Sequence, residues 1–181
     1  MNTPRNAWAE ARAEHDQVVA DFLAAIDGIP AARWQQLPRP DKWSAATLAH
    51  HVCVTYAFGR DAANGARSMK LLVPRPAAWL ARTFLLPRIL ASHKFPRGAE
   101  APQEVRPDRE IALTLTPNAA KAQLRAMAAE AMAAIERAAR ERPSQRIVHA
   151  YFGPLSLLQG LRVLSAHTRH HSGGMEWRRG A

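Results

Sequence analysis

Three of the eight histidines stand close together in "SAHTRHHSGG", at His167, His170 and His171. In a helix, positions four apart lie one turn apart on one face, so imidazoles at His167 and His171 can reach a single cation. The pair extends the stripe Leu157, Leu161 and Leu164, which marks the side that faces a core. Two imidazoles turned inward without partners are costly, and a metal ion removes that cost. The competing reading is a half-exposed pair at a helix end, where the helix dipole tolerates positive charge. Chance alone supplies about 0.35 pairs of this spacing per chain at this histidine content, so spacing is weak support by itself.

A third imidazole stands in "WSAATLAHHV". His50 and His51 are adjacent, and adjacent helical positions differ by about 100° in direction, so at most one shares an inward stripe. His51 lies three after Leu48 and four before Thr55, on the buried side, whereas His50 points further round. Helical bundles build metal sites from inward side chains on facing helices. Three neutral imidazoles and a water make an open, tetrahedral, zinc-type site with one exchangeable position. Thr168 follows His167, so the H-E-x-x-H pattern of metalloproteases is absent. His149 stands at a pocket mouth or on a surface loop, His170 faces sideways, and His15 and His93 are incidental. Cys53, two after His51, reads as a buried inert thiol. No Ser-His-Asp set and no glycine-rich phosphate loop is present.

Four long helices are needed to position these residues. The first spans about 5–29, with Trp8, Ala11, His15, Val18, Phe22 and Ile26 at three- and four-residue spacings, and Gly28 and Pro30 end it. Ser44 caps a second, from about 45 to 67. Thr116 caps a third, with Pro117 in its first turn and Leu124, Met127, Ala128, Ala131, Met132 and Ile135 facing inward. Ser156 and Gln159 form a capping box for the fourth, which stops at the Gly173-Gly174 pair. Residues 68–116 are an irregular middle insertion. Within it, "PRPAAWLARTFLLPRIL" reads as a short helix packing Trp79, Leu80, Phe84 and Leu85 on the bundle, with a basic membrane-surface helix as the alternative. "HKFPRGAEAPQEVRPDRE" reads as a long loop of the kind that covers a site. No strand is expected, and the fold class is all-α, a four-helix bundle.

The 181 residues suit a single domain spanning 1–181, and 48% hydrophobic content excludes wholesale disorder. No stretch is long and apolar enough to span a bilayer, and the early residues lack a signal-peptide core. One cysteine forms no internal disulfide, so the expectation is a cytoplasmic protein. The net charge of +10 comes from arginines scattered over alanine-rich helical stretches, which reads as solvated helix faces rather than a nucleic-acid surface.

Two blocks resemble the DinB/YfiT-like superfamily of small bacterial four-helix-bundle metalloproteins. "KWSAATLAHHV" is similar to a block with a tryptophan, a small polar residue, and a histidine eight after the tryptophan: Trp43, then His51, followed by Val52. "HAYFGPLSLLQGLRVLSAHTRHH" is similar to a Phe-Gly turn, a helix start and H-x-x-x-H, matched by Phe152, Gly153, His167 and His171. The resemblance implies a divalent metal, zinc or nickel, on His51, His167 and His171. It implies an up-down-down-up helix order and a homodimer. It also implies a thiol-dependent transferase or hydrolase acting on a small-molecule substrate with a low-molecular-weight thiol. A non-catalytic, stress-related binding bundle is the alternative. Charge alone suggests Arg75, Arg82 or Arg97 as holders of an anionic thiol or substrate.

Overall fold

The computed structural model describes residues 4–40, 42–96 and 100–179. Four long helices dominate them: α1 (Pro4–Asp27), α2 (Ala45–Ala63), α6 (Pro117–Glu141) and α7 (Leu157–Arg179). Between α2 and α6 lie three short helices, α3 (Arg75–Leu80), α4 (Leu86–Ser92) and α5 (Arg109–Thr114). A π-helical stretch, Ala81–Leu85, joins α3 to α4, and a 3-10 turn, Gln103–Val105, precedes α5. A hairpin of β1 (Arg146–His149) and β2 (Gly153–Ser156) links α6 to α7.

Local chemistry sets the helix starts. The Ser44 hydroxyl accepts from Thr47 N, and the Thr116 hydroxyl accepts from Ala119 N. At α7 the capping box is reciprocal: Gln159 N donates to Ser156 Oγ at 3.1 Å and Ser156 N donates to Gln159 Oε1 at 2.9 Å.

Cross-helix contacts give the direction of each helix. Arg12 meets Glu136 and Lys121 meets Asp27, so α1 and α6 are antiparallel. Cys53 lies against Ala120, Arg60 against Glu130 and Asn64 against Arg137, so α2 and α6 run parallel. Tyr56 meets Thr168 and Gly59 lies beside Leu164, while His51 reaches His171, so α2 and α7 are antiparallel. The order is up-down-down-up, as the sequence resemblance implies. Parallel α2 and α6 need a connection that returns along the bundle, and residues 64–116 supply it. Most of α2 is buried, from Ala45 to Ala63, because α6, α7 and this crossover enclose it.

Three expectations are corrected. First, α7 does not stop at Gly173-Gly174. Neither glycine adopts the positive φ that ends a helix, and Met175, fully buried, carries the packed stripe past them. Second, a hairpin is present: Arg146–His149 pairs antiparallel with Gly153–Ser156. Its four-residue strands are too short to show alternation, and Gly153 at φ +68° makes the turn back. Third, Trp79, Leu80, Phe84 and Leu85 do not pack into the bundle, being 37–59% exposed. The α3–α4 run lies so close to the hairpin that a Cβ at Gly153 would sit 3.6 Å from that of Ala78. Small Ala78 therefore takes the inward position, joined by Leu86 and Ile89, and the large side chains turn out. Among the described residues no helix is long and apolar enough to cross a membrane.

Candidate metal centre

α2 carries His51, and α7 carries His167 and His171 one turn apart. Their antiparallel packing brings all three imidazoles together, with one ring nitrogen from each within 4.8 Å of the others. His51 Nε2 lies 3.1 Å from His167 Nε2, and His171 Nε2 lies 3.2 Å from the same atom. Imidazoles on one tetrahedral metal, with bonds of about 2.0–2.1 Å, place their nitrogens about 3.3 Å apart. His51 Nδ1–H donates to the Val105 carbonyl at 2.7 Å, which fixes the tautomer and leaves Nε2 a bare lone pair.

His167 Nε2 therefore stands within hydrogen-bond distance of two other ring nitrogens, and a cation among them can take all three lone pairs at once. Adding a proton is unfavourable, because burial holds His51 down to about 4 and, with His171 and His51 nearby, holds His167 well below 6.5. The residues fit a divalent metal ion. His167 Nδ1 is buried and without a hydrogen-bond partner, so its orientation rests on packing. A family model described as the DinB superfamily matches residues 14–175.

The chain belongs to the DinB superfamily.

No curated protein and no solved structure is matched by the chain. In this DinB protein the three histidines form part of the wall of a cavity of about 600 Å³. The cavity is mainly apolar, bounded by side chains such as Phe58, Met69, Val105, Ile135, Phe152 and Leu155. Trp43 packs against His51 at 4.9 Å between ring centres, and Phe95 lies edge-on to His167 at 5.9 Å. These aromatics pack against two of the cluster's rings. No arginine or lysine lines the cavity among the described residues. Arg75 is exposed, and Arg82 is committed to the Phe152 and Pro154 carbonyls, so neither is placed to hold an anion there. Arg97 lies outside the described residues.

The remaining candidates divide cleanly. His50 is buried at 7% exposure but stands outside the cluster. His149 lines the cavity, stacks on Phe152 at 4.6 Å and is held down to about 4 by burial. Its Nδ1 accepts from Tyr151 N at 3.2 Å, so the neutral ring carries its proton on Nε2. His170 is at the cavity edge, 5.5 Å from Phe95. His15 packs edge-on against Tyr56, and His93 closes α4 in a left-handed conformation. Burial pushes the Cys53 thiol up to about 12, so it stays protonated and unreactive. Sequence patterning marked Thr55, Ile135 and Leu164 as inward, but it did not reveal Phe95 or the hairpin and crossover residues of the lining, which carry no helical period.

Proposed function

We propose that this protein is a divalent-metal-dependent enzyme that holds one metal ion on His51, His167 and His171 and acts on an apolar small molecule. The reaction is a transfer from that molecule to a low-molecular-weight thiol, or its hydrolysis. One observation carries the reading: three imidazoles converge, with one ring nitrogen from each within 4.8 Å of the others, on the wall of a cavity of about 600 Å³, large enough for a small organic ligand. When bound, zinc or nickel supplies a Lewis acid that makes a nucleophile available at neutral pH. The Val105 carbonyl orients His51, and Trp43 and Phe95 pack against the cluster's rings. His149 offers an Nε2–H donor from the cavity wall. The apolar lining selects the organic substrate by area rather than by charge.

Among the described lining residues Glu100 is the single carboxylate, and it is exposed and paired with Arg106 at 3.2 Å. That favours thiol transfer over hydrolysis assisted by a carboxylate base. The test is a titration of mycothiol, bacillithiol and glutathione into the cobalt-substituted protein. At least one of them should change the cobalt spectrum at millimolar concentration or below, and an added electrophile should then consume the thiol. A silent spectrum with all three ends the transferase reading. Metal held without turnover of any electrophile leaves the non-catalytic binding bundle.

A further inference from the structure

Residues 62–99 hold seven lysines and arginines and no aspartate or glutamate. The centre of this stretch is the continuous helical run from Arg75 to Ser92. Its inner side is spent on packing: Ala78, Leu86 and Ile89 are buried, and Ala77 and Ala81 line the cavity. Its outer side carries Trp79, Leu80 and Phe84, exposed by 53%, 49% and 59%. Leu80, Phe84 and Arg88 follow at four-residue spacing, as do Arg75 and Trp79. Cations therefore bracket the aromatic side chains on one helix face. Arg75, Arg88 and Lys94 are exposed and form no ion pair among the described residues, whereas Arg67 and Arg82 have partners within the fold.

We propose that this face docks on an anionic lipid surface, with Trp79, Leu80 and Phe84 seated at the headgroup boundary and Arg75, Arg88 and Lys94 against phosphates. An interfacial helix needs an apolar face flanked by cations, and this run has that order. The lack of any carboxylate over residues 62–99 removes the repulsion that acidic groups would feel at such a surface. A second copy suits the face poorly, because a two-fold contact sets each run's cations against the same cations of its partner.

The test is co-sedimentation of the full chain with vesicles of phosphatidylcholine alone and with about one third phosphatidylserine. Binding should require the anionic lipid and weaken as salt rises. Trp79→Ser/Phe84→Ser should reduce it about tenfold or more. Arg75→Gln/Arg88→Gln should abolish the preference for phosphatidylserine. All four side chains are exposed, so the melting temperature of each variant should match the parent's. The proposal is overturned if the parent ignores both vesicles, or if Trp79→Ser/Phe84→Ser binds as the parent does. It is equally overturned if that substitution splits a dimer, which would assign the face to a second copy.

Discussion

At the scale of single residues, His50 and His51 are neighbours in sequence and both are buried, yet only His51 joins the cluster. One step along a helix turns a side chain by about 100°, and that rotation takes one imidazole into the cluster and leaves the other outside it. Metal analysis of untagged protein should find about one divalent ion per chain in the parent and in His50→Ala. His51→Ala should lose most of it. Equal loss in both variants would mean the contribution is packing rather than ligation. The Cys53 thiol, pushed up to about 12 in a closed environment, should react with a disulfide reagent only as fast as the protein unfolds. Rapid labelling in native buffer would contradict its burial. These residues were legible in the sequence because helical spacing converts directly into direction. The cavity as a whole was not, since beyond the α2 and α7 faces that carry the histidines its lining comes from the hairpin and the crossover, which show no helical period.

At the scale of elements, the long helices were legible wherever a side chain marks their start. Ser44, Thr116 and the Ser156–Gln159 pair all cap as their types and spacing suggest. Ser156→Ala should therefore destabilise the fold by about 1 kcal/mol without changing metal content, read as a shifted denaturant midpoint and an unchanged metal ratio. What patterning misread were elements decided by distant neighbours. Met175 extends α7 through two glycines, and the hairpin's approach turns Trp79 and Phe84 outward. On the proposed reading, a metal on His51, His167 and His171 would tie α2 to α7 and bind only the folded chain. At a free concentration about 100-fold above its dissociation constant it adds about 2.7 kcal/mol. Chelation should then lower the melting temperature by about 5–10 °C and leave a helical bundle, because the apolar core is independent of the site. No change in melting after verified metal removal would argue against a bridge between these helices.

At the scale of the whole molecule, several histidines are folded into the interior in their neutral form. Burial holds His149 down to about 4 from 6.5, and lowers His15 as well. The unfolded chain therefore binds more protons than the folded one between these values, so stability rises with pH through that window. It is complete above about 6.5 and is lost progressively as pH falls toward 4. Denaturant midpoints measured on metal-free protein should fall over that range. His149→Phe, which keeps the stack on Phe152 without a titrating group, should flatten part of the slope. The long connection between parallel α2 and α6 has an effect that reaches past architecture. Its 3-10 turn at Gln103–Val105 presents the Val105 carbonyl that sets the His51 proton, so the crossover and the histidine cluster share one hydrogen bond. Linkage makes such sharing reciprocal. If lifting the crossover weakens the grip on the ion, then the ion must hold the crossover down by the same factor. Amide exchange at residues 102–106 should accordingly slow on metal loading, and the cavity beneath them should open less often in the loaded protein than in the empty one.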